Sequence, residues 1–312
     1  MNVPAPSSAC ASQASPSRRD FFKLAAVALG SAATAATAAT AGAASGKGRG
    51  PRLEEDRCGV LVDLTLCVGC RRCEWACNRA NDNPHGSLRD YDDQSVFEQA
   101  RRPGPRQFTV VNRARGREDG KSVHVKIQCN HCERPACVSA CLVGAMRKDP
   151  RGPVFYDASR CIGCRYCMVA CPFERLAYEF DEKLTPRVRK CDMCRERTRL
   201  GRRPACVEMC PVEALTFGRR QRLLELAHDR IRRHPDRYVD HVYGESEVGG
   251  TSWLYLSSRP FDQLGFKTLG PKSPAETTEA IQHGIFAGFA APLGLAAVLT
   301  AFHHLTRGSA KP

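Results

Sequence analysis

A chain of 312 residues has room for one large domain or two modest ones. Its 18 cysteines are far above ordinary usage, so apolar burial alone is not expected to organise the fold. The formal charge of +14 suggests nucleic acid or an anionic membrane. The basic residues are scattered rather than gathered on one expected helix, which argues for a solvated or partner-facing surface and against nucleic acid.

Residues 1–44 read as a leader, set aside from the fold. Ser17-Arg18-Arg19-Asp20-Phe21-Phe22-Lys23 is a twin-arginine signal, followed by an alanine-rich, weakly hydrophobic run to about Ala44. A disordered Ala/Thr leader does not account for paired arginines directly before that run. Twin-arginine export moves folded proteins, which suits a protein loaded with metal before it crosses. Cys10 lies in the leader and is no ligand. Cys58 belongs to no group and reads as a free or incidental thiol.

The domain spans 57–220. A short strand at 60–63 leads into Cys67, Cys70, Cys73 and Cys77, with Asn78 where a proline often follows. Residues 79–122 are polar, carry Pro84, Gly86, Pro103, Gly104 and Gly116, and read as an insertion rather than core. A strand at 123–128 delivers Cys129, Cys132, Cys137 and Cys141, followed by Leu142 rather than proline. A strand at 154–156 precedes Cys161, Cys164, Cys167 and Cys171, and residues 176–180 should pair as its returning strand. Cys191, Cys194, Cys206 and Cys210 form the last quartet, with an eleven-residue basic stretch that reads as a surface loop; residues 215–217 close the module.

Sixteen cysteines in four quartets can mean disulfides, zinc or iron–sulfur ligation. Disulfide frameworks seldom repeat CxxC four times with a fourth cysteine at a near-fixed distance. Zinc could use any one quartet as a tetrahedral S4 site. It does not explain CxxCxxCxxxCP at Cys161–Cys171, the bacterial ferredoxin run, whose last cysteine ligates the other cluster of a pair. The reading is four [4Fe-4S] clusters on an α+β fold of two pseudo-twofold ferredoxin-like units, the inner two quartets forming one and the outer two the second. Four oxidised cubanes with their thiolates, each of charge roughly −2, would offset about 8 of the positive charges. Such small repeats bury little apolar area, so ligation must supply part of the folding free energy. A cysteine-rich zinc protein, structural or nucleic-acid-binding, is the alternative of a different class.

Residues 221–280 form a C-terminal extension. It opens with a helix over 221–233 and contains one apolar cluster, Trp253-Leu254-Tyr255-Leu256, which packs either on the module or on a partner. Residues 285–302 carry no charge and, as a helix, cover about 27 Å, nearly the hydrocarbon thickness. A transmembrane helix is expected over 281–303, with Arg307 and Lys311 in a cytoplasmic tail at 304–312.

The chain resembles the iron–sulfur subunit of membrane-bound, periplasm-facing nickel–iron hydrogenases of the hydrogenase-2 type. More broadly it is similar to the four-cluster subunits of formate dehydrogenases and other molybdopterin oxidoreductases. The likeness rests on Arg18-Arg19, Leu66-Cys67-Val68-Gly69-Cys70, Lys148-Asp149-Pro150, the run from Cys164 through Pro172, Tyr243-Gly244-Glu245 with Gly249-Gly250-Thr251, and Ile281-Gln282-His283. It implies a non-catalytic relay at the periplasmic face of the inner membrane. Electrons would pass from a catalytic partner, a nickel–iron hydrogenase or a formate dehydrogenase, to an integral quinone-reactive subunit. It also implies cross-ligation: Cys129, Cys132 and Cys137 with Cys171; Cys161, Cys164 and Cys167 with Cys141; Cys67, Cys70 and Cys73 with Cys210; and Cys191, Cys194 and Cys206 with Cys77.

Overall fold

The computed structural model describes residues 57–115 and 122–307. The expected leader, Cys10 and the end of the expected tail lie outside them. In chain order the elements are β1 (Cys58–Asp63), α1 (Arg72–Ala80), β2 (Val110–Arg115), β3 (Ser122–Ile127), α2 (Ala136–Ser139), β4 (Met146–Lys148), β5 (Val154–Tyr156) and α3 (Tyr166–Val169). They continue with β6 (Ala177–Tyr178), β7 (Val188–Arg189), α4 (Arg195–Arg199), α5 (Ala205–Glu208), β8 (Leu215–Arg219), α6 (Arg220–Arg233), β9 (Trp253–Leu256) and α7 (Pro274–Arg307).

β1 is buried along its whole length, as its near-continuous apolar run requires when both faces are covered. It lies between β8, antiparallel, and β9, parallel. Strand alternation sends Leu61 to one face and Val60 and Val62 to the other. Leu61 meets Leu223, Leu224, Ala227 and Ile231, the apolar stripe of α6. Val60 and Val62 meet Met193, Cys206, Trp253 and Tyr255. One face of the sheet is a helix-covered core; the other walls the cysteine region. The apolar cluster of the extension therefore packs on the module, as a strand of its sheet.

Several expectations are corrected. The segment 79–122 is not wholly peripheral: β2 within it pairs antiparallel with β3, and Val110 and Val111 are buried. The buried Glu74 on α1 ties it down, accepting from the Val111 N–H at 2.5 Å, from Gln107 Nε2 at 2.8 Å and from Arg101 Nη2 at 2.6 Å. Residues 176–180 do not return to 154–156. β6 pairs with β7 and β5 with β4, because strands of two or three residues take the partner that a local hairpin supplies. The basic stretch after Cys194 contains a helical turn, α4. Cys58 is disulfide-bonded rather than free, a pairing that spacing could not reveal.

α7 is continuous over 34 residues. Its first turns are fastened to α2: Arg134 pairs with Glu276 at 2.7 Å and Glu279 at 3.3 Å, and Gln282 Nε2 donates to the Ser139 carbonyl at 3.0 Å. Among the described residues no helix is long and apolar enough to cross a membrane; the side chains at 285–287, 290–291, 301–302 and 304–307 are not among them.

Candidate iron–sulfur centres

Each quartet opens with a tight CxxC turn, and the residue before the second cysteine is left-handed in all four: Gly69 (φ 73°), His131 (φ 50°), Gly163 (φ 72°) and Met193 (φ 59°). That conformation turns two thiols toward one centre and aims a backbone N–H at the first sulfur. Gly163 N donates to Cys161 Sγ at 3.4 Å and Met193 N to Cys191 Sγ at 3.3 Å, and the Gly69 N–H partly offsets the desolvation that raises the Cys67 thiol. At Gly69 a Cβ would lie 2.4 Å from the His124 ring, so only glycine fits. Three of the fourth cysteines are followed three residues later by another left-handed residue: Gly144, Glu174 and Glu213. Behind them Ala145 N donates to Cys141 Sγ at 3.1 Å and Arg175 N to Cys171 Sγ at 3.5 Å. His131, Met193, Glu174 and Glu213 escape sequence reasoning because propensity places none of them in a left-handed turn.

The fourth thiol of each quartet joins the other half of its pair. Cys67, Cys70, Cys73 and Cys210 line one small cavity, walled by Val62, Val111 and Leu215. Cys129, Cys132, Cys137 and Cys171 line a second, walled by Val154, Phe173 and Leu176. Cys141 packs against Cys167, and Cys77 packs with Cys191. These contacts match the four sets that the resemblance implies. Neighbouring sets also pack together: Cys137 with Cys167; Cys77, Cys129 and Cys191 around Phe108; and Cys73 against the core that holds Cys206. Each set therefore adjoins the next, from the Cys161 set through the Cys129 and Cys191 sets to the Cys67 set. Among the described residues Cys164, at one end, is the one exposed thiol.

Burial pushes the thiols up. Cys67 and Cys167 reach about 11 and Cys194 about 12, each with desolvation as the largest cause. Cys73, Cys77, Cys137 and Cys191 are raised well above the ordinary value, by desolvation first and then by neighbouring negative charge. Thiols in such surroundings become thiolates only by gaining a metal, which releases their protons. Among the described residues no three His, Cys, Asp or Glu side chains converge tightly enough for one metal ion. Four thiols around an apolar cavity fit a cube, in which each thiolate binds a different iron.

Three lysines stand beside the thiols; sequence reasoning names Lys148, as part of Lys148-Asp149-Pro150, but not Lys190 or Lys126. Lys148 donates to the Cys132 carbonyl at 2.8 Å, Lys190 to the Cys191 carbonyl at 2.8 Å, and Lys126 lines the Cys67 cavity. The departures from the ferredoxin run are benign. Asn78 is buried and its Nδ2 donates to Tyr91 Oη at 3.1 Å; Leu142 points to solvent.

Four such adjoining thiol sets on an α+β scaffold define an iron–sulfur electron-transfer protein. Residues 121–220 match the family model described as a 4Fe-4S dicluster domain. A protein of Nitratidesulfovibrio vulgaris is 52% identical over 225 residues, which are 72% of this chain and 60% of that relative's length. The hydrogenase-2 operon protein HybA of Escherichia coli O157:H7 is 36% identical, covering 78% of this chain and 82% of the relative. The nitrate-inducible formate dehydrogenase iron–sulfur subunit of Escherichia coli K12 is 32% identical, covering 78% and 81%. The chain belongs to this family of iron–sulfur subunits of hydrogenase- and formate-dehydrogenase-type oxidoreductases, and its cofactors are four [4Fe-4S] clusters.

Proposed function

We propose that this chain is the one-electron relay of an exported, membrane-anchored complex, carrying electrons from a periplasmic catalytic partner to an integral quinone-reactive subunit. The observation that carries it is the four thiol sets, each adjoining the next and each completed by a cysteine from the opposite half of its unit. The sixteen ligands are Cys67, Cys70, Cys73 with Cys210; Cys191, Cys194, Cys206 with Cys77; Cys129, Cys132, Cys137 with Cys171; and Cys161, Cys164, Cys167 with Cys141. Each cluster, when bound, accepts and passes on one electron. The chain's own residues hold the thiols, aim backbone N–H groups at them and exclude water from the inner sets.

A [NiFe] hydrogenase oxidising hydrogen is the donor we favour, because the relative named for the hydrogenase-2 operon is more similar than the formate dehydrogenase subunits. The formate dehydrogenase assignment is the second reading. The twin-arginine leader supports export, and the uncharged stretch 285–302 within the long α7 supports a transmembrane anchor.

The test is Cys164→Ser in the purified complex. Hydrogen oxidation with a dye reduced at the catalytic subunit should persist, while hydrogen-dependent quinone reduction falls at least tenfold; wild type given hydrogen or formate identifies the donor. Equal loss of dye and quinone activity in a fully assembled complex would sink the relay.

A further inference from the structure

We propose that Lys126 is a fixed positive charge set between the two outer thiol sets, raising the reduction potentials of the clusters they hold. The inference rests on the relay reading in that clusters occupy those sets.

The alternation of β3 turns Val123 and Val125 into the core and should turn Lys126 toward solvent. Lys126 is instead only 2% exposed. Its ammonium donates to Thr109 Oγ1 at 2.6 Å and to Gln128 Oε1 at 2.8 Å, and it sits 4.6 Å from the centre of the Trp253 ring. Gln128 is held in turn by its Nε2 donating to Tyr255 Oη at 2.6 Å. The charge is thus fixed from three sides: by the insertion through Thr109, by its own strand and by β9 of the extension. It lines the cavity of Cys67, Cys70, Cys73 and Cys210, and its electrostatic neighbours include Cys206, Cys73, Cys191 and Cys77, which belong to both outer sets.

Among the described residues no carboxylate forms an ion pair with Lys126. Lys148, by contrast, has Glu133 at 3.7 Å. A buried ammonium without a counter-anion is unfavourable. With no carboxylate in reach, the anions it answers to are the thiolates of the ligated sets beside it. Reduction adds negative charge beside a fixed cation in a medium that screens poorly, so the reduced form gains stability and the potential rises. The Cys161 set lies at the far end of the series and serves as an internal control.

The experiment is a redox titration followed by electron paramagnetic resonance on the anaerobic complex, with iron and sulfide assayed throughout. Wild type, Lys126→Met, Lys126→Gln and Lys126→Arg are compared. Signals are assigned by the losses that Cys70→Ser, Cys194→Ser and Cys164→Ser cause. With full iron, Lys126→Met should lower the potential of an outer cluster by at least about 59 mV, a tenfold change in its one-electron equilibrium. Lys126→Arg should stay near wild type, and the Cys161 set should not move. Unchanged outer potentials in fully loaded Lys126→Met overturn the inference. If both neutral variants lose outer clusters and Lys126→Arg keeps them, the charge is required and the inference stands. If Lys126→Arg loses them too, shape rather than charge is what matters and the inference falls. A wild-type chain with empty outer sets would refute the relay reading itself, a result distinct from any shift in potential.

Discussion

Glu74 shows how much of this protein depends on single buried polar groups. Its carboxylate is fully buried and answers to Arg71 at 3.3 Å, Arg101 at 2.6 Å and the backbone of β2. Removing one partner of such a group leaves the other charges buried and unpaired. We expect Glu74→Gln to cost about 3–5 kcal/mol, read as a fall in the denaturant midpoint of the loaded protein; an unchanged midpoint would show that water replaces the carboxylate. Gly69 makes the complementary point about backbone. Its φ of 73° and the His124 ring at 2.4 Å from any added Cβ leave no room for a side chain. Gly69→Ala should empty the Cys67 set first, a loss of about a quarter of the iron. Full iron content in that variant would mean the turn can relax.

At the scale of elements, the extension is a clamp. β9 extends the sheet beside β1, and the turn before it reaches back to the quartet loops: Glu133 N donates to the Gly250 carbonyl at 2.9 Å, and Cys132 bridges to Thr251. Gly244 allows this approach, since a Cβ there would lie 2.4 Å from the Trp253 carbonyl oxygen. The motifs around Gly244 and Gly249-Gly250-Thr251 are therefore structural supports for an inner quartet. A second fastening joins the units. Asp149, beside the β4–β5 hairpin, accepts from Arg195 Nε on α4 at 2.9 Å, and Arg195 also lies over the Phe155 ring at 3.9 Å. Burial would raise the Asp149 pKa, but the Arg151 N–H and the Arg195 guanidinium outweigh it and hold the carboxyl below its ordinary range. A lowered folded pKa contributes stability that is present above the unfolded value of about 3.9 and is lost as pH falls below it. Wild type should exceed Asp149→Asn by about 1.5–3 kcal/mol at pH 7, with the gap closing below about pH 4. Denaturant midpoints measured across that range check the sign.

For the whole molecule, charge and anchoring belong together. The formal +14 is offset by about 8 once four clusters and their thiolates are counted, which leaves a modestly basic body suited to an anionic surface. Along α7, Phe289, Leu293, Leu295, Val298 and Leu299 are all more than half exposed, and nothing among the described residues covers them. We expect the full chain to stay with membranes through salt and carbonate washing, and truncation before Glu279 to release protein that keeps its clusters. Release of the full chain by carbonate alone would assign α7 to a partner protein instead of lipid.

The quartets of cysteines and the [4Fe-4S] chemistry were legible in the sequence, because such clusters call for a residue type that little else in a chain of this kind requires, at spacings a short turn dictates. The helix of 221–233 and the strands at 60–63, 123–128 and 215–217 were legible for a similar reason: burying one face imposes a local period. Strand partners were not. β6 chose β7, and Val110 and Val111 became core within a stretch that reads as polar insertion, because pairing is decided by which segments the cluster loops bring close. That each set adjoins the next was also a tertiary result, since it depends on Cys129, Cys191 and Phe108 meeting across the two units. Lys126 is the sharpest case. Composition makes it one more surface cation, and only the closing of β2, β3 and β9 around it places an unpaired charge between two sets of thiols, where low dielectric gives that charge its effect.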